Sequence, residues 1–181
     1  MIRIIVVFFA CLLLVSAQET RESLPELQVS IGVEQVSPGI EGMSRKLAVI
    51  AVTIVNPGDS PRTVVVGSNY NNGAHWNVTA NLMNRDGKVV SLTHLPQAVA
   101  ITGYAGPLFV GIAAHGSFRA LLDARDFEEA AGDGSANLSE VMGGSGRQLQ
   151  IVIHCGGDAF PEYSTAANSW KGDLVSGWLR L

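Results

Sequence analysis

Cysteine is nearly absent: two in 181 residues, and Cys11 sits inside the apolar run IIVVFFACLLLV near the start of the chain. That run, Ile4 to Val15, follows one basic residue, Arg3, and leads into Val15-Ser16-Ala17, small residues at the spacing a signal peptidase reads. Cleavage after Ala17 is expected, with the mature chain beginning at Gln18. The run is much shorter than the roughly 20 residues that span a bilayer, which argues against a retained anchor. Leu12 to Val15 continue the apolar stretch past Cys11, which argues against lipid attachment there. Cys155 then has no partner, so an internal disulfide is excluded although export would permit one. Stability must come from an apolar core, and roughly 160 residues are enough to bury nearly 70% of the unfolded surface in one domain.

Basic charge is also scarce. Lys and Arg number 12 against 16 Asp and Glu, a formal charge of −4, and losing Arg3 with the leader makes it −5. No footprint for a nucleic-acid backbone exists in such a balance. A second long hydrophobic run is missing too, so no stable membrane span is expected after the leader is removed. Motifs for catalysis or cofactors are likewise lacking: there is no P-loop, no dinucleotide glycine pattern and no recognisable pair of acids. No cofactor and no enzymatic activity are therefore expected.

What is present is alternation. Leu27, Val29, Ile31 and Val33 alternate with polar residues or glycine, the period of a strand that buries one face. KLAVIAVTIVN, Lys46 to Asn56, is apolar on both faces and β-branched, as a central strand should be. Asn56-Pro57-Gly58-Asp59-Ser60-Pro61 stops it, and Thr63 to Gly67 begins the next. In GAHWNVTANLM, a single strand puts Trp76, Val78, Ala80 and Leu82 inward, and His75, Asn77, Thr79 and Asn81 outward. Asn84-Arg85-Asp86-Gly87 carries a hairpin signal, returning through Lys88 to Leu92.

Between Thr93 and Gly116 glycines and Pro107 interrupt short apolar runs, which fits two short strands or a crossing loop. Phe118, Ala120 and Leu122 resume alternation opposite Arg119, Leu121 and Asp123. A short helical insertion is expected near 124–143, with Asp126 and Asn137 as caps, Glu129 and Glu140 three residues on, and Gly143 as terminator. Arg147 to Cys155 and Asp173 to Leu181 read as the last two strands. These elements imply residues 1–17 as signal peptide, 18–25 as polar lead-in and 26–181 as one all-β domain of two antiparallel sheets.

VTIVNPGDSP (Val52 to Pro61), GIAAHGSFRALLDARDF (Gly111 to Phe127) and SWKGDLVSGWLRL (Ser169 to Leu181) carry a resemblance to secreted immunoglobulin-like or fibronectin-like sandwich domains. They resemble, in turn, the central strand with its corner, the glycine-led strand after the middle loop, and the closing strand. The resemblance covers about a quarter of the mature chain and lacks the immunoglobulin disulfide. It implies a sandwich architecture, export and a binding role, and it transfers no active site.

Candidate sites divide into weak motifs and loop residues. His154 and Cys155 are adjacent, but strand neighbours point to opposite faces, so Cys155 is expected buried beside Leu149, Ile151 and Ile153. His75, His94, His115 and His154 are scattered without zinc spacing. Asp133, Ser135 and Asn137 begin like a calcium loop, yet Leu138 and Gly144 stand where that loop needs glycine and an acid, and Asn137 suits a helix cap better. GGSG, Gly143 to Gly146, has Arg147 where a nucleophile elbow needs its second glycine. Asn77-Val78-Thr79 and Asn137-Leu138-Ser139 are glycosylation acceptors in a eukaryotic source. Among Trp76, Trp170 and Trp178, the first and last suit core packing, and Trp170 is the best exposed candidate for a ligand platform or, equally, a plug for one end of the sandwich.

The function expected is that of an exported, secreted or periplasmic, non-catalytic module binding a protein or surface glycan. Its loops at 69–73, 103–107 and 126–146 would carry recognition, with Tyr70, Tyr104 and Trp170 as binding residues. The alternatives are a protease inhibitor or enzyme-associated prodomain, and a hydrolase assembled from dispersed residues.

Overall fold

The computed structural model describes residues 26–37, 47–70, 73–95, 106–129, 137–142, 146–156 and 169–181. The proposed leader and lead-in lie outside them. In chain order the strands are β1 (Gln28–Val36), β2 (Leu47–Val55), β3 (Arg62–Tyr70), β4 (Gly73–Trp76), β5 (Val78–Met83), β6 (Val89–His94), β7 (Gly106–Ile112), β8 (Ser117–Asp123), β9 (Phe127–Glu129), β10 (Gln148–Cys155), β11 (Ser169–Trp170), β12 (Gly172–Val175) and β13 (Leu179–Arg180). Among the described residues, helix is limited to a 3-10 turn at Ala124–Asp126 and one α-helical turn, α1 (Leu138–Val141). Among the described residues no helix is long and apolar enough to cross a membrane.

Hydrogen bonds gather the strands into three open sheets. The first, β1-β2-β8, has the doubly apolar β2 at its centre, with Ile50 paired to Val33 on one side and Leu122 on the other. The second runs β12-β10-β5-β6-β9, with β13 also on β10; the third runs β11-β3-β4, with β7 also on β3. All pairs are antiparallel except β11 with β3, which is parallel. Ile50, Ile54, Val66, Ile151, Ile153 and Phe127, drawn from all three sheets, are fully buried in one continuous apolar cluster.

The strand expected through Trp76 is divided at Asn77 between two sheets. The Asn77 amide donates to the Val66 carbonyl of β3 at 2.8 Å, and its carbonyl accepts from the His154 amide of β10 at 2.9 Å. Alternation survives the transfer: Trp76, Val78, Ala80 and Leu82 are buried while Asn77 is exposed. One residue therefore stitches the second and third sheets together without leaving an amide unpaired.

Other expectations need correction. Asp126 does not cap a helix; it ends the 3-10 turn, which Asp123 caps by accepting the Arg125 amide at 2.9 Å, and Glu129 lies in β9. Phe127 drives this, because extended backbone lets its ring enter the core beside His94 at a centroid distance of 5.1 Å. Asn137 does cap α1, accepting the Glu140 amide at 3.2 Å. Gly143 lies outside the described residues. In the interrupted segment before Gly116, residues 96–105 lie outside the described residues, and the described part forms a seven-residue strand, β7, held by β3 across a bulge between Val65 and Gly67. The closing strand is broken into β12 and β13, because Ser176 turns inward and its hydroxyl accepts the Ile151 amide at 2.9 Å.

Val33 is 37% exposed rather than buried. Here the inner face of the first sheet opens into a groove of ≈460 Å³ lined by Val33, Ala48, Met142, Leu179, Arg180 and Leu181, among others.

Candidate functional site on the outer face of the second sheet

Period two along β10 sends Leu149, Ile151, Ile153 and Cys155 into the core, so Gln148, Gln150, Val152 and His154 face away from it. Register then selects their neighbours: Thr79 lies opposite Val152, Asn81 opposite Gln150, and Asp173 opposite His154. One strand further on, Thr93 faces Thr79 and Ser91 faces Asn81. The result is a surface of hydroxyl, amide and imidazole groups on the backs of well-packed strands.

Two hydrogen-bonded rows cross it. In the first, the Ser91 hydroxyl donates to Asn81 Oδ1 at 2.7 Å, Asn81 Nδ2 donates to Gln150 Oε1 at 3.3 Å, and Gln150 Nε2 donates to the Ser176 carbonyl at 3.1 Å. In the second, Thr79 Oγ1 is 3.0 Å from His154 Nε2, and His154 Nδ1 is 2.9 Å from Asp173 Oδ1. A carboxylate only accepts, so in the neutral ring Nδ1 carries the proton and Nε2 accepts from the threonine hydroxyl. That connectivity is the one an orienting acid, a base and a nucleophile require. Both β5 and β10 are paired on two sides, so their backbone amides are taken up in the ladder.

A second histidine contact lies where β4 meets β6. The His75 Nε2–H donates to the His94 carbonyl at 3.0 Å, and the two rings stack at 5.9 Å. His94 is 4% exposed with no partner at Nδ1, and burial, reinforced by His75, pushes its pKa down to about 4. His115 instead meets Asp59 at 2.8 Å on the surface. Among the described residues no cluster of three or more His, Cys, Asp and Glu is placed to hold a metal ion.

The residues singled out from sequence fare unevenly. Cys155 is buried, and burial raises its thiol pKa to about 12, so the His154–Cys155 pair is split across the sheet. Trp76 is buried and stacks on Phe118 at 6.1 Å. Trp170 is half-buried and packs against the core, as a plug would, whereas Trp178, expected in the core, is 40% exposed. Trp170 is drawn in by the glycine two residues on, since a Cβ at Gly172 would meet its ring at 3.3 Å. Trp178 follows the break made by Ser176 and Gly177, which frees it from the core.

Tyr70 ends β3, but its side chain lies outside the described residues, as do Tyr104, Asp133, Ser135 and the Gly143 to Ser145 part of GGSG. Asn137, the remaining member of the calcium candidate, has its Oδ1 occupied by the Glu140 amide and by Ser139 Oγ at 2.5 Å. The two rows were missed because Thr79, Asn81, Gln150, His154 and Asp173 are each unremarkable in sequence, and only strand register brings them together.

No family model matches the chain, and no curated protein matches it. Among solved structures it is similar to the "Putative ApaA Protein" from Bordetella pertussis, at 14% identity and a TM-score of 0.39, over 86% of this chain and 92% of that one.

Proposed function

We propose that the chain is an exported, non-catalytic binding module with an immunoglobulin-like two-layer sandwich architecture, and that its ligand is a protein or a surface glycan. The observation that carries this reading is the row from Ser91 through Asn81 to Gln150, whose side chains are fixed by one another before any ligand arrives. Preorganised polar groups lose little rotamer freedom on binding, which removes part of the entropy cost of association. Export is supported by the apolar run before Gln18.

Capture from the native extracellular or periplasmic fraction tests the reading. The mature chain should retain a ligand that the Asn81→Ala/Gln150→Ala double variant loses. A ligand retained equally by both would move the site to the loops, and no ligand from either would remove the reading.

The hydrolase alternative has one specific observation in its favour, the Thr79–His154–Asp173 chain. Ester, glycoside and peptide substrates should show no turnover above background. Turnover that survives purification and disappears in both Thr79→Val and His154→Gln would replace the binding reading.

A further inference from the structure

Resting on that reading, we infer that the ligand is an uncharged glycan chain and that it lies across the strands, along the row Ser91–Asn81–Gln150, with Trp178 at the end of the row. The first reason is register. Arg180 pairs with Gln148, and half-buried Leu179 pairs with Leu149. Ser176 is bonded to Ile151 and Leu179 pairs with Leu149, so Gly177 and Trp178 together fill the interval opposite Gln150, and the indole is 40% exposed. Three adjacent strands, β6, β5 and β10, thus each contribute one side chain to a single line, and Trp178, just before β13, stands at its end.

The second reason is spacing. Neighbouring strands lie about 4.8 Å apart, close to the length of one pyranose residue, so successive sugars would meet successive strands. Sugars present hydroxyl groups at their rims and a patch of C–H on one face. Asn81 and Gln150 each keep unused amide donors and carbonyl lone pairs after their mutual hydrogen bonds, and can answer hydroxyl groups in either sense. An exposed indole offers a flat apolar surface for the C–H face.

The third reason is charge. On this face Glu128 and Asp173 carry negative charge, and the residues of the row itself are neutral. A polyanion would meet no cationic stripe, and an apolar partner would have to strip water from amides and hydroxyls it could not replace.

Affinity electrophoresis of the mature chain tests the inference, through gels containing starch, mixed-linkage β-glucan, mannan or galactan, with alginate as the anionic control. Retardation by at least one uncharged polymer is expected, weakened roughly tenfold or more in Trp178→Ala and in Gln150→Ala. Leu121→Ala, which alters an exposed apolar residue on the first sheet, should bind as the parent does. Circular dichroism and thermal melting establish that each variant is folded. Retardation unchanged in both site variants would overturn the site, and retardation by alginate alone or by no polymer would overturn the ligand class. In those cases a protein captured by the mature chain and lost in Asn81→Ala/Gln150→Ala would leave the binding-module reading standing, so the two failures are distinguishable.

Discussion

His75 donates a hydrogen bond from Nε2 to the carbonyl of His94 and stacks on its ring, joining the last residues of β4 to the end of β6 across two different sheets. The contact makes the fold sensitive to acid. His94 is buried and neutral, with a pKa near 4 against 6.5 for a free histidine. Between those values the unfolded chain binds a proton that the folded chain refuses. Stability from this residue is therefore complete above pH 6.5 and is lost progressively as the pH falls towards 4, by an amount on the order of 3 kcal/mol. Urea midpoints between pH 7 and 4.5 should show the loss, and His94→Gln should flatten the slope whatever it does to stability at pH 7. An unchanged slope in that variant would mean that another group governs the acid limb.

How much of this was legible beforehand depended on the physical range of each signal. Local alternation placed β1, β2, β8 and β10, and the buried face of β10, because period two is written into consecutive residues such as Leu149 to Cys155. The strand change at Asn77 was not legible. It depends on Val66 and His154, residues 11 and 77 positions away, which supply its two backbone partners. Asp126 misled for a related reason: its capping pattern with Glu129 is locally sound, and the core's demand for Phe127 overrode it. The outer-face rows belong to the same class, since His154 and Asp173 become neighbours only through the antiparallel register of β10 and β12.

Cys155 should be chemically silent in the folded protein. Its thiol is buried beside Ile153, with burial and then the Asp173 charge pushing its pKa to about 12, so almost no thiolate exists at neutral pH. A thiol-reactive dye at pH 8 should label it slowly in buffer and promptly in concentrated urea. Fast labelling of folded protein would place the sulfur at the surface.

Gly67 marks the closest approach of β3 and β4. A Cβ there would lie 1.9 Å from the His75 carbonyl oxygen, a backbone atom that cannot move without breaking the pairing of Gly67 with Trp76. Gly67→Ala should cost about 3 kcal/mol or more. Gly111, on β7 of the same sheet, has open space where its Cβ would be, so Gly111→Ala should change stability by less than about 1 kcal/mol. Thermal melting of the two variants separates a steric clash from a general dislike of alanine in these strands.

Asn56 carries more of the fold than its place in a turn suggests. It is fully buried at the end of β2, and its Nδ2 donates to the carbonyls of Ser60 at 2.8 Å and Ala113 at 3.0 Å, while Oδ1 accepts the Gly58 amide at 3.1 Å. Its own amide reaches the Gly116 carbonyl at 2.9 Å, so one residue ties the turn after β2 to the turn between β7 and β8. Asn56→Ala would leave buried carbonyls and an amide without partners, each costing about 1 to 3 kcal/mol where water cannot replace the bond. Asn56→Asp keeps the acceptor for Gly58 but places oxygen where Nδ2 now donates, setting it against two carbonyls. Both variants should therefore unfold at lower temperature by a margin well beyond that of a surface change such as Leu121→Ala, with Asp no better than Ala at neutral pH. Recovery of the aspartate variant at acid pH, where its protonated oxygen can donate again, would have to be read on a His94→Gln background to separate it from the opposing histidine effect.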